Sequence, residues 1–252
     1  MVSRAAPDAF TSCEPLHYWP KAKQTPNMSS EKFTILRVTA ADASKMRAVS
    51  KRANATNIVQ QAFYPKHLEH LTPREEIDAW QTNTLKEMIN AGKARYFKAV
   101  LTDEPDRLVA LTGWFPPAAF DIEALDKQSA NVAPGASTEA KKEPYNPACR
   151  DDAVRDDYIA KMNACKKAIW GEDTDYWYVS ALNVDPDFQR QGLGARLLAE
   201  GLKLVDATHK PVYLESGPAA EGFYKKMGFE AKGEWEMCEG KYVATGFVRE
   251  AR

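Results

Sequence analysis

Tyr176-Trp177-Tyr178-Val179-Ser180-Ala181-Leu182-Asn183-Val184 is an apolar run, and behind Asp185-Pro186-Asp187-Phe188 stands Gln189-Arg190-Gln191-Gly192-Leu193-Gly194, which opens an amphipathic stretch from Ala195 to Val205. The order reads as strand, glycine turn and helix. A helix start leaves several backbone N–H groups without partners and gathers partial positive charge, so this turn suits the diphosphate of a nucleotide-derived ligand. Gly192 and Gly194 lack a Cβ, which lets the main chain approach phosphate oxygens and adopt dihedrals other residues resist. Arg190 adds a charge. The string lacks the lysine and Ser/Thr of a nucleotide triphosphate loop and the third glycine of a dinucleotide fingerprint, so neither ATP nor NAD is its natural ligand.

Working outward, the back half continues with a strand at Val212 to Glu215, a helix at Ala219 to Met227 and strands near Phe229 to Gly233 and Tyr242 to Val248. The front half predicts a strand at Phe33 to Val38 and a helix from about Asp42 with Met46, Val49 and Ala53 on one face. A second helix follows from Thr72 to Gly92, with Thr72 as cap, Pro73 in the first helical position and Glu75 completing a capping box. Its buried stripe would be Ile77, Trp80, Leu85, Met88 and Ile89. Strands Tyr96 to Leu101 and Leu108 to Phe115 form a hairpin across Thr102 to Asp106. Residues 1–31, with prolines scattered through them and no apolar block, read as a flexible tail before a single domain at 32–252. Residues 116–175 read as an insertion of little fixed structure up to Pro147, then a helix striped by Val154, Tyr158, Met162, Cys165 and Ile169.

The 252 residues are 44% hydrophobic and carry a formal net charge of −1, so the chain has the core for one domain and no global field for nucleic acid or an anionic membrane. No stretch approaches the roughly 20 apolar residues of a membrane span. Cys13, Cys149, Cys165 and Cys238 are far apart and form no C-x-x-C pair, which argues against a zinc ribbon and a disulfide framework and reads as reduced thiols of a cytoplasmic protein. His67 and His70 have no third ligand beside them, so no metal is expected. Lys166-Lys167 reads as a solvated face.

Three strings, Leu182-Asn183-Val184-Asp185-Pro186, Gln189 to Gly194 and Phe223-Tyr224-Lys225-Lys226-Met227-Gly228-Phe229, together resemble the GNAT superfamily of acyl-CoA-dependent N-acetyltransferases. The likeness covers Tyr176 to Phe229; the front half is similar in its order of elements. It implies an α/β (α+β) fold in which a mixed, mostly antiparallel sheet, splayed at the cofactor site, is flanked by helices. It implies acetyl-CoA as cosubstrate and direct transfer to a primary amine, with a small molecule favoured over a protein lysine or N-terminus, as monomer or homodimer. Main-chain groups of Leu182, Asn183 and Val184 would hold the pantetheine arm, with the Val184 N–H polarising the thioester carbonyl, where acyl transfer develops negative charge. The backbone of Gln189, Arg190, Gln191, Gly192, Leu193, Gly194 and Ala195 would meet the diphosphate. Tyr224 would face the sulfur as general acid.

The base departs from the family pattern: where some members carry a strand glutamate this chain has Tyr178. Glu215 is the remaining carboxylate in a suggestive place, with Ser180, Asn183 and Ser216 to position solvent. Trp114, beside the Pro116-Pro117 step, and Tyr178 are candidates to line the amine pocket. The insertion is the expected acceptor-side lid. The competing class is a CoA-binding regulatory or interaction module without transfer chemistry.

Overall fold

The computed structural model describes residues 32–118 and 145–252; the expected tail at 1–31 and the middle of the insertion, 119–144, lie outside the described residues. The elements in chain order are β1 (Phe33–Arg37), α1 (Ala43–Ala53), α2 (Ile58–Phe63), α3 (Arg74–Asn90), β2 (Arg95–Leu101), β3 (Leu108–Phe115), α4 (Asp152–Trp170), β4 (Trp177–Val184), α5 (Leu193–Thr208), β5 (Val212–Ser216), α6 (Glu221–Lys226), β6 (Glu230–Met237) and β7 (Tyr242–Arg249). The strands form a sheet in the order β1-β2-β3-β4-β5-β7-β6. Every neighbouring pair is antiparallel except β4 and β5. That parallel pair is matched only at Trp177 with Val212 and Tyr178 with Tyr213, so the two strands part beyond it.

Period-two alternation sends the strands' side chains to two separate cores. On one face α5 lays Leu193, Leu197, Leu198, Leu202 and Val205 against Phe97, Val109, Trp177 and Val179. Gly201 is the contact point: a Cβ there would lie 1.9 Å from Trp114 Cε2, so the glycine is what lets the helix rest on the indole. On the other face α1 and α3 cover the β1 to β3 side through Met46, Val49, Leu85 and Ile89. There α4 covers β6 and β7, burying Met162 and Cys165 among Met237, Cys238 and Ala244. Strand β4 is left between these two coverings.

The amphipathic patterns place α1, α4 and α5 where the periodicity predicts, within two to four residues at their ends. The start of α3 differs. Pro73 is the N-cap, with an extended backbone and no side-chain cap bond. Thr72 Oγ1 instead accepts from the Cys149 N–H at 3.2 Å, joining this turn to the segment before α4. A tertiary acceptor role has displaced the local capping box. The α3 stripe is only half-buried, because one helix face is shared between the core and a solvent-filled recess. Helix α2 has six residues, too few for periodicity to reveal; it is held by Asn57, whose side-chain oxygen accepts from Val59 N and Gln60 N.

Candidate functional site

The opening between β4 and β5 is where the three motif strings meet. A Cβ built on Gly194 would sit 3.7 Å from Phe223 Cζ and 3.9 Å from Leu182 Cδ2, so the glycine turn, the diverging strand and α6 converge on one point. The Asp185 N–H donates to Val109 O at 2.9 Å. Amides alternate in direction along a strand, so those of Leu182 and Val184 face away from β3, toward the edge β5 has left. These are donors aimed into the opening.

The turn that closes this end is left-handed twice in three residues, at Arg190 (φ 62°) and Gly192 (φ 78°). Such alternation builds concavities of converging N–H groups. The first helical bond of α5 runs from Arg196 N to Gly192 O at 3.1 Å, which leaves the amides of Leu193, Gly194 and Ala195 without helical acceptors. Gln189 braces the turn from behind by donating to Val184 O at 3.1 Å. Open space surrounds Gly192, so its requirement is the backbone angle; Gly194 has no left-handed angle and only van der Waals neighbours, so neither backbone nor packing requires a glycine there. The donor set fits a diphosphate.

Tyr224 lies on the α5 face of the sheet, 7% exposed, with its ring between Phe223, Phe229 and Phe247 at centroid distances of 5.0, 5.8 and 5.6 Å. Burial pushes its phenol up to about 12; Tyr242 adds to the rise and the Ser216 hydroxyl opposes it. The phenol therefore holds its proton at neutral pH.

Glu215 occupies the opposite face. Val212 and Leu214 turn toward α5, while Tyr213 turns to Trp170 of α4 and Glu215 to Lys166 of the same helix. The Glu215 side chain is 5% exposed, and Lys166 Nζ stands 3.9 Å from its Oε1 and 4.2 Å from the Tyr178 ring centre. Burial raises the Glu215 pKa; Lys166 and the phenols of Tyr178 and Tyr213 oppose that rise. Tyr213 acts by proximity, since neither Glu215 Oε1 nor Tyr213 Oη has a hydrogen-bond partner among the described residues. A carboxyl group whose pKa is raised in this way accepts a proton more readily than an ordinary carboxylate. Acid and base candidates thus stand on opposite faces of the sheet, with the β4–β5 opening between them.

Other expected positions resolve differently. Trp114 does not line a pocket: it is fully buried beneath α5, because Gly201 brings the helix down onto it. The Asn183 side chain is committed to α1, donating to Ser50 Oγ at 3.0 Å and accepting from Asn54 Nδ2 at 3.2 Å, so only its main chain is available to a ligand. Lys167 is the solvated lysine, whereas Lys166 turns inward at 29% exposure. Tyr158, Met162 and Lys166 lie four apart on one helix face, a period that does not itself show which strand the face covers. Ser180 is the residue skipped where Gly113 pairs with Ala181 and Trp114 with Val179, a β-bulge that nothing in the sequence announced. Burial pushes the Cys165 thiol up to about 12, which makes it a poor nucleophile. Among the described residues no group of three His, Cys, Asp or Glu is placed to hold a metal, and no helix is long and apolar enough to cross a membrane.

Residues 164–245 match the acetyltransferase (GNAT) domain family. Over 60 residues the chain is 40% identical to the peptidyl-lysine N-acetyltransferase YjaB of Salmonella typhimurium, a stretch that spans 24% of this chain and 41% of that protein. A GNAT-family structure from Desulfovibrio desulfuricans superposes with a TM-score of 0.50 at 15% identity, over 86% of this chain and 98% of that one. A second, described as histone acetyltransferase HPA2 and related acetyltransferase, from Corynebacterium glutamicum, gives 0.50 at 17% identity over 88% and 97%. The GNAT domain family is thus matched through the site, and the fold over the sheet is similar to that of GNAT-family structures.

Proposed function

We propose that the protein transfers an acetyl group from acetyl-CoA directly to a primary amine. The observation that carries this reading is the convergence of Leu182, Gly194 and Phe223 on an opening into which strand and helix amides point. Acetyl-CoA supplies an acetyl group activated as a thioester. The amides of residues 190–195 bind its diphosphate, and the main chain of Leu182 to Val184 orients its arm, with the Val184 N–H as donor to the acyl oxygen. The Tyr224 phenol, kept protonated by burial, holds the proton that a departing thiolate needs. On the far face Glu215 accepts a proton from the incoming ammonium, through solvent positioned near Ser180, so that the amine arrives neutral. No cysteine joins the reaction, consistent with the raised Cys165 and Cys238 thiols.

A recess of about 870 Å³ on the α1–α3 side supports a small amine as acceptor. The likeness to a peptidyl-lysine N-acetyltransferase supports a protein lysine as the second reading. The three buried free thiols, Cys149, Cys165 and Cys238, suit a reducing cytoplasm. The test is an acetyl-CoA turnover screen over polyamines, amino acids, aminoglycosides and lysine peptides, reading thiol release. Amine-dependent release is expected; coenzyme A binding without release on any amine would leave a binding module instead.

A further inference from the structure

The recess beside α1 carries a charge the rest of the molecule does not. Arg47, Lys51, Arg52, Lys66 and Arg74 line it, against Glu69 and Asp78 as its only acids, whereas the whole chain has a formal net charge of −1. The pairing within it is incomplete. Arg47 and Lys51 both rest on the single carboxylate of Asp78, at 2.9 and 2.6 Å. Their combined pull, by hydrogen bond and by charge, holds Asp78 below its ordinary pKa against the desolvation that would raise it. Arg74 pairs with Glu69, and Lys66 makes no ion pair among the described residues. Between these charges the walls are Tyr64, Ile77, Ala55 and Cys149, which lower the local dielectric and lengthen the reach of the surplus.

The recess also adjoins the reaction centre. Ser50 and Asn54, two of its lining residues, hold the Asn183 side chain from either side. Asn183 stands between Leu182 and Val184, whose amides point into the β4–β5 opening. Arg52, at the same rim, binds Asp185 and Asp187 directly before the glycine turn. A molecule in the recess therefore lies one strand residue from the donors that orient the acyl group, on the side of the sheet away from α5.

We propose that this recess is the acceptor site and that it selects amines bearing carboxylates close to the reacting nitrogen. The inference rests on the acetyl-transfer reading for its chemistry, though not for its binding. An acceptor carboxylate completes the charge that Arg47, Lys51 and Lys66 leave unmatched, while the amine points to β4. The shared chemistry is a carboxylate beside an amine, whether in a free acidic amino acid or in an acidic peptide around a lysine.

The test compares matched pairs: free glutamate with its diamide, which lacks both carboxylates, and a blocked Glu-Lys-Glu peptide with Gln-Lys-Gln. Each is measured by turnover and, without chemistry, by calorimetry on the full chain loaded with coenzyme A. The acidic member of at least one pair should be preferred by about tenfold or more, the size expected of a charge-assisted contact at a partly desolvated rim. Which pair responds distinguishes amino acid from peptide. Lys51→Gln combined with Lys66→Glu should abolish the preference in both readouts, with coenzyme A affinity and melting temperature as controls for folding. Equal binding of acidic and neutral members, or a preference that survives the double variant, overturns the assignment. Selective binding of acidic amines without turnover would keep the recess and overturn the transfer reading.

Discussion

Two glycines in the turn perform separate tasks, and substitution separates them. At Gly192 the backbone sits at φ 78°, so Gly192→Ala should cost about 1–2 kcal/mol of stability through left-handed strain. At Gly194 a methyl meets only ordinary contacts, so Gly194→Ala should leave the melting temperature unchanged or slightly higher while coenzyme A affinity falls; calorimetry beside a thermal melt reads both. Tyr224→Phe removes one hydroxyl from a ring fixed by three aromatic neighbours, so kcat should fall by about 100-fold with coenzyme A affinity retained. For Glu215 the sign follows from burial. Its folded pKa is raised, so the unfolded chain ionises first as pH climbs past the ordinary carboxylate value, and the residue's contribution to stability declines until the folded group ionises too. In the proposed mechanism the base is the ionised form, so kcat/KM should rise with pH across the same interval. Lys166→Met removes the cation at 3.9 Å and should move that acidic limb to higher pH; an unmoved limb in a pH–rate profile would take Glu215 out of the role of base. Tyr224 and the glycine turn were legible in the sequence because spacing carries them. Lys166 was not, because a helix face shows its owner's period and not which strand it covers.

Helix α5 shows how an element is fixed by one small residue. Gly201 lies in mid-helix, where glycine is unfavourable by about 1 kcal/mol relative to alanine, yet a Cβ there would lie 1.9 Å from Trp114. Gly201→Ala should therefore destabilise the fold by about 3 kcal/mol or more, read as a lowered denaturation midpoint, because the helix must lift off the sheet and take the glycine turn with it. The Trp114 expectation failed for the same reason: an aromatic at the end of a strand reads alike whether it faces a pocket or a helix, and only the distant glycine decides. Helix α4 was legible in its stripe. That it walls the face opposite α5 was not, since the stripe meets β6 and β7, which follow it by more than sixty residues. Asn57 capping α2 was visible only in retrospect, because six residues hold less than two turns of pattern.

At the scale of the molecule, the sheet is two blocks, β1 to β4 and β5-β7-β6, joined through two matched residue pairs. A ligand that spans the opening adds to that joint, so saturating coenzyme A should raise the unfolding free energy by about 2.7 kcal/mol at 100 times its Kd. The gain should appear as a higher Tm, with slowed amide exchange at residues 182–184 and 190–195. The class of fold was legible because it depends on alternating local patterns. The narrow joint was not, for parallel pairing across α5 leaves no mark in either strand. The joint has a cellular consequence. On the acetyl-transfer reading, a seam spliced by the donor opens more often when the donor is scarce, and proteases sample what opens, so the protein's lifetime would follow the donor's supply.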